Sequence, residues 1–193
     1  IAAGVGATNY MDSQYWRYQL QSTAARPIEY ANFGWSSQAS SAYYLRALDL
    51  MTAGVLPSGA VLAYHGFSPN DYTTSITAAN INTLYYQNVL VAQQCLSSRV
   101  GLILVDGAPA NTASKAWATD DARRRAFNAT LANLSGYSVI PQSSMLEGGV
   151  DSTGQTQYKR AVTTDGLHPN DVGINAIVPL VSSAIAPYVG TYQ

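Results

Sequence analysis

Residues 100–105 read VGLILV, an uninterrupted apolar run of strand length. A strand without polar alternation is typical of a parallel sheet that helices cover on both faces. Residues 60–64 (AVLAY), 137–140 (YSVI) and 27–32 (PIEYAN) indicate further strands. Segments with helical periodicity occupy residues 38–51, 71–98 and 113–134, and a last helix starts near residue 171. This order predicts one α/β domain over residues 1–193, with a doubly wound parallel sheet between two helical layers.

The charge of the chain excludes several classes of function. Only 11% of the residues are charged, and the formal net charge is −1. Such a surface offers no electrostatic footprint for nucleic acid or an anionic membrane, and no apolar run approaches the ~18 residues of a membrane span. The basic run Arg123-Arg124-Arg125 follows two aspartates, so we expect it to form local ion pairs on a solvated helix face.

Potential metal ligands are scarce in this sequence. The chain has one cysteine and two histidines, His65 and His168. Cys95 lies in an apolar helical run and is expected to be a small core residue. A single cysteine forms no internal disulfide, and so few ligands do not suit a catalytic metal site. Phosphate-binding fingerprints are also missing, so we expect neither a metal nor a cofactor.

Residues 165–170 read DGLHPN and precede the last predicted helix, which Asp171 is expected to cap. A carboxylate three residues before a histidine can hold the imidazole in one tautomer and stabilise its protonated form. Asp165 and His168 therefore have the spacing that a general base and its orienting carboxylate require. The alternative is a loop histidine whose aspartate caps the helix, and the spacing alone does not separate the two.

Polar residues also follow two of the predicted strands. The strand at 60–64 leads into His65 and Asn70, and the strand at 27–32 leads into a loop that contains Ser37. Because the carboxyl ends of parallel strands meet at one edge, these loops are expected to surround Asp165 and His168. Backbone N–H groups, an amide and an Asp/His pair are the set that acyl transfer needs. Two alternatives remain open, an interior His65 bonded to backbone and an Asn70 that caps a helix.

On these residues the chain resembles the SGNH (GDSL-type) hydrolases, which cleave esters and have a flavodoxin-like three-layer α/β/α sandwich. Asp165, His168 and Pro169 match the family's Asp-x-x-His-Pro block. The resemblance implies that His168 is the general base and Asp165 its orienting carboxylate. It also implies an oxyanion hole from the Asn70 amide and the Ser37 N–H. Asn70 stands further from its preceding glycine than in the family's GxND block, and Ser37 replaces a glycine.

The family's Gly-Asp-Ser block has no match in this chain. Residues 1–7 (IAAGVGA) resemble the residues that follow the family's serine, so the resemblance implies that the first strand and the nucleophile lie before Ile1. A sequence that starts downstream of the serine, a cleaved polypeptide with a separate N-terminal segment, and a modified serine each explain this. Ser13 is a rival nucleophile within the chain, but no apolar strand precedes it and it suits the start of a helix.

The resemblance implies a serine esterase that acts on O-acyl groups, in particular acetyl esters, of a small molecule or a polysaccharide. Fourteen tyrosines and three tryptophans suit stacking on sugars. The low charge and many polar neutral residues favour an extracellular or virion-surface protein. The alternative is a non-catalytic SGNH-like module that binds glycan or protein and lacks the nucleophile.

Overall fold

The computed structural model describes residues 31, 39–68, 70–71, 78–110, 118–134 and 136–189. Of the predicted strand at 27–32 only Ala31 is described, and Ser13 and Ser37 lie outside these residues. The helices of the described part are α1 (Ser40–Thr52), α2 (Ala78–Ser98), α3 (Ala118–Ala132), α4 (Gln142–Leu146) and α5 (Asp171–Val189), with a 3₁₀ turn at Arg160–Val162. The strands are β1 (Val61–His65), β2 (Gly101–Val105), β3 (Ser138–Ile140), β4 (Glu147–Val150) and β5 (Thr156–Tyr158).

Strands β1, β2 and β3 form a parallel sheet in that order. Val61 of β1 pairs with Gly101 of β2, and Ile103 of β2 pairs with Ser138 of β3. β2 lies between its two neighbours, and every residue in it after Gly101 is buried. The uninterrupted apolar run therefore formed the central strand of the described sheet, because a strand covered on both faces has no position for a polar side chain.

Successive side chains of β2 point into two separate cores. Leu102 and Leu104 join the cluster formed with α1, α2 and α3, whereas Ile103 and Val105 join the cluster formed with α5 and β5. Helices therefore cover both faces of the sheet, which confirms the predicted α/β fold class. Cys95 is buried in the first cluster as a free thiol, as predicted.

The basic run of α3 forms the expected local ion pairs, because Arg124 and Arg125 both contact the Asp121 carboxylate, but the expected solvated face is wrong for Arg124. Arg124 is completely buried and is not part of a solvated face. A hairpin that the sequence did not predict, β4 with β5, covers this part of α3. Glu147 of β4 lies 2.8 Å from the Arg124 guanidinium, and the N–H of Thr156 donates to Asp121 Oδ2 at 2.8 Å. The hairpin is short and rich in glycine and polar residues, so it carries little periodic signal.

Helix α5 is long and apolar enough, by length and composition alone, to cross a membrane. In the structure Ile174, Ile177 and Val181 form its buried face and pack in the cluster that contains Ile103 and Val105. The core helix of an α/β layer passes the same test of length and composition. Only 28% of this stretch is buried within the described part of the chain, so the packing accounts for one face of α5 and not for its whole apolar surface.

Candidate functional site

Asp165 and His168 lie in the loop between the 3₁₀ turn and α5, and the structure brings their side chains together. Asp165 Oδ2 is 2.7 Å from His168 Nδ1, and Asp165 Oδ1 accepts the N–H groups of Leu167 at 2.9 Å and His168 at 2.8 Å. Gly166 has φ +72°, a left-handed conformation that lets the turn fold back. Asp165 therefore orients the imidazole. With Nδ1 engaged, Nε2 is the nitrogen that can accept a proton.

The hydrogen bonds around Asp165 keep its carboxylate ionised. Partial burial on its own would raise the pKa of Asp165. The backbone N–H of His168, the imidazole and the N–H of Leu167 together outweigh that effect and lower the pKa to about 2. A carboxylate that remains charged at neutral pH can stabilise a neighbouring imidazolium, which is the role that acyl transfer assigns to it.

Asn170, and not Asp171 as predicted, caps the last helix. Asn170 Oδ1 accepts the N–H groups of Val172 at 3.0 Å and Gly173 at 3.1 Å. Asp171 is the first residue of α5 and is exposed. The backbone N–H and side-chain amide of Asn170 also donate to carbonyl groups of the 3₁₀ turn. Asn170 therefore fixes the end of the Asp165–His168 loop, and the cap does not need Asp165.

Leu167 packs this loop against a core cluster that extends to the carboxyl edge of the sheet. Its side chain packs against the core cluster that includes Phe67, which follows β1, and Ala110, which follows β2. The loops after β1 and β2 also contact each other, because a Cβ added at Gly107 would lie only 2.9 Å from the Cβ of Phe67. Ligands of open α/β sheets bind at this edge.

Asn70 lies in the loop after β1, where its N–H is 3.2 Å from Ser68 Oγ. The adjacent Asp71 is buried and accepts the N–H of Ser40 at 3.0 Å, the hydroxyl of Ser40 at 2.5 Å and the N–H of Ser68 at 2.8 Å. Asp71 therefore joins its own loop to the first residue of α1. Ser37 lies outside the described residues, so the oxyanion roles of Asn70 and Ser37 stay predictions.

We expect Asp71→Ala to lower the free energy of unfolding by about 3 kcal/mol, because it leaves buried N–H and O–H donors of Ser40 and Ser68 without their charged acceptor. Urea denaturation followed by circular dichroism measures the change. Asp49→Ala on the exposed face of α1 is the matched control and should change stability by less than about 0.5 kcal/mol. Equal effects of the two substitutions would contradict the role of Asp71.

His65 ends β1 as an interior histidine. Burial lowers its pKa to about 3, so the imidazole is neutral at physiological pH. Its buried Nε2 has no hydrogen-bond partner within the described part of the chain, so the expected bond to backbone is not found at this atom. Within the same part, no three His, Cys, Asp or Glu side chains cluster closely enough to hold a metal ion.

Asp106 is a buried carboxyl at the same edge that the sequence reasoning missed. It directly follows β2, and its Oδ1 accepts the N–H of Ser143 at 2.9 Å while Oδ2 contacts the Ser143 hydroxyl. Its carbonyl accepts the Gln142 amide at 2.6 Å. Burial raises the pKa of Asp106 to about 6, although the Ser143 bonds oppose the shift. The sequence did contain a signal for this carboxyl, because Asp106 directly follows an apolar strand.

The raised pKa of Asp106 predicts a specific pH dependence of stability. Its folded pKa of about 6 exceeds the ordinary 3.8, so the folded state holds the proton more tightly. The resulting stabilisation is complete below about pH 4 and is lost as the pH rises through 6. Between pH 4 and pH 7 the free energy of unfolding of the unmodified protein should fall by of the order of 3 kcal/mol relative to that of Asp106→Asn, because the amide does not titrate. Urea denaturation at both pH values measures this, and parallel pH profiles would contradict it.

No protein-family model and no curated protein sequence matches this chain. Several solved structures do. A GDSL-like lipase from Bacteroides thetaiotaomicron VPI-5482 has a TM-score of 0.68 and 18% identity, over 92% of this chain and 84% of that chain. A Bacteroides fragilis NCTC 9343 protein, assigned by inference as an acylhydrolase, has a TM-score of 0.64 and 20% identity, over 79% of this chain and 72% of that chain.

A protein from Desulfitobacterium hafniense DCB-2, assigned by inference to the lipolytic proteins of the G-D-S-L family, has a TM-score of 0.65 and 16% identity, over 94% of this chain and 92% of that chain. The similarity spans most of each structure, although few residues are identical. At such low identities it establishes a common fold.

Proposed function

Because this chain has an SGNH/GDSL hydrolase-like α/β fold, we propose that it is a serine esterase that hydrolyses O-acyl esters. The observation that carries the proposal is the 2.7 Å contact between Asp165 Oδ2 and His168 Nδ1, in a loop whose Leu167 packs against a core cluster that extends to the carboxyl edge of the sheet. Two of the structural neighbours are named as a lipase and as an acylhydrolase, and both names denote this class of reaction.

In the proposed mechanism His168 Nε2 takes the proton of a serine hydroxyl as the serine oxygen attacks the acyl carbon. The protonated imidazole then gives this proton to the departing alcohol. Asp165 stays ionised and stabilises the imidazolium during both transfers. His168 next removes a proton from water as the water oxygen attacks the acyl carbon, and it returns this proton to the serine oxygen as the bond between that oxygen and the acyl carbon breaks and the acid leaves. The Asn70 amide and the Ser37 N–H are the proposed donors to the oxyanion.

We propose that the nucleophile is a serine just before Ile1, either in a continuous chain or on a separate N-terminal segment. The support is the resemblance of residues 1–7 to the residues that follow the family's serine. The proposed substrates are acetyl esters of a polysaccharide or a small molecule, in an extracellular or virion-surface setting. The abundant aromatic residues are consistent with sugar binding.

The test treats the full-length protein, with any residues that precede Ile1, with p-nitrophenyl acetate and with a fluorophosphonate probe. We expect turnover of the ester and one covalent adduct that mass spectrometry maps to a serine before Ile1. An adduct on Ser13 would contradict the proposed position of the nucleophile. A protein with neither turnover nor adduct would contradict the esterase and favour the non-catalytic module that binds glycan or protein.

A further inference from the structure

The Asp165–His168 pair is too exposed to hold itself in place. The His168 side chain is 37% exposed and that of Asp165 is 50% exposed. Exposed ion pairs contribute little energy, because water and salt screen them. A general base must nevertheless stay close to its productive position, and a misplacement of 1 Å can cost about a hundredfold in rate. The main chain that carries the pair must therefore be held by other contacts.

The hydroxyl of Thr163 braces this main chain. Thr163 Oγ1 donates to the carbonyl of His168 at 2.7 Å and accepts the N–H of Gly166 at 3.0 Å. Asp165 Oδ1 is 3.3 Å from the same oxygen. A hydroxyl has one proton, and the shorter contact to the carbonyl takes it. Thr163 thus ties the left-handed glycine of the turn to the residue that carries the imidazole.

A second hydroxyl holds the loop from the side of the core. Tyr158 of β5 is buried, and its hydroxyl donates to the carbonyl of Leu167 at 3.0 Å. Thr163 also forms a β-bridge with Pro169, so the chain is paired on both sides of the turn. The two hydroxyl groups therefore fix consecutive peptide carbonyls, those of Leu167 and His168.

We propose that Thr163 is a positioning residue that sets the orientation of the His168 imidazole, with Tyr158 as its second support. The proposal rests on the proposed esterase function, in which His168 is the base. Thr163 acts through the backbone of His168 and Gly166, and these two hydrogen bonds of its hydroxyl lie within the loop. Removal of its hydroxyl therefore changes the rate of proton transfer and not the binding of the ester.

The kinetic test compares Thr163→Val, Thr163→Ser and Tyr158→Phe in the full-length protein with p-nitrophenyl acetate. Valine keeps the shape of threonine without its hydroxyl, and serine keeps the hydroxyl. We expect Thr163→Val to lower kcat by about tenfold to a hundredfold with KM changed less than about twofold. Thr163→Ser should restore kcat to within about threefold, and Tyr158→Phe should lower kcat by a smaller factor than Thr163→Val.

Thr130→Val is the matched control for the loss of a threonine hydroxyl. Thr130 is exposed on α3, and its hydroxyl donates to the carbonyl of Ala126 in the same helix. This substitution should leave kcat and KM unchanged. If Thr163→Val does not fold, the Tyr158→Phe variant, which keeps the buried ring, tests the proposal in its place. Wild-type kcat in whichever of these variants folds would overturn the proposal.

An NMR measurement tests the same inference without activity. The chain has two histidines, so the imidazole resonances of His168 are read beside those of the interior His65. We expect the Nδ1–H of His168 to exchange with solvent several times faster in Thr163→Val than in the unmodified protein. The exchange rate should return to its original value in Thr163→Ser, and neither substitution should change the resonances of His65. Unaltered exchange of the His168 Nδ1–H would overturn the proposed positioning role of Thr163. A changed exchange in a protein that hydrolyses no ester would support the brace and contradict the esterase.

Discussion

Replacement of His168 by alanine in the full-length protein should lower the turnover of p-nitrophenyl acetate by at least about a thousandfold. In the proposed mechanism the imidazole moves a proton in both half-reactions, so no other described side chain of the loop can take its place. Asp165→Asn should also reduce kcat strongly, because an amide at 2.7 Å from Nδ1 no longer stabilises an imidazolium. Initial rates over a range of ester concentrations give kcat and KM for each variant.

The controls separate chemistry from folding. Asp171→Asn removes a carboxylate three residues after His168, at the exposed start of α5, and should leave the rate unchanged. His168→Ala should unfold at nearly the same urea concentration as the unmodified protein, because the lost side chain is partly exposed. Activity close to that of the unmodified protein in His168→Ala would remove the histidine from the mechanism.

The largest expected loss of stability comes from Arg124→Met, at about 3–5 kcal/mol. The guanidinium is completely buried. It donates to Asp121 at 2.9 Å and to the carbonyl of Gly107 at 2.7 Å, and it forms an ion pair with Glu147 at 2.8 Å. Methionine fills much of the volume but leaves this carbonyl without its charged donor and a buried carboxylate with less positive charge nearby. For a domain whose total stability is about 5–15 kcal/mol, such a loss is severe.

Arg160→Met provides the matched control, because Arg160 is exposed in the 3₁₀ turn. That substitution should change the free energy of unfolding by less than about 0.5 kcal/mol. Urea denaturation monitored by circular dichroism compares the two variants. A loss below about 1 kcal/mol for Arg124→Met would show that the buried ion pairs contribute little beyond what a hydrophobic side chain supplies.

The sequence was sufficient where the determining contacts are local. An uninterrupted apolar run predicted a strand covered on both faces, and β2 has that environment. The three-residue spacing of Asp165 and His168 allowed either a bonded pair or a helix cap, and the resemblance to the Asp-x-x-His-Pro block favoured the pair, which the turn through Gly166 forms. Each of these patterns lies within a few consecutive residues. The fold class followed from the order of such segments.

Only the tertiary structure decided which distant groups meet. Asp71 binds Ser40, which lies 31 positions earlier in the chain, and Asp106 binds Ser143, which lies 37 positions later. Arg124 belongs to a charged run that looked solvent-facing, and the β4–β5 hairpin buries it. A buried polar group must find a partner, but its identity depends on which loops the sheet brings together. The sequence thus determined the three strands of the parallel sheet and the spacing of Asp165 and His168, and the packing of the loops determined the contacts that hold them in place.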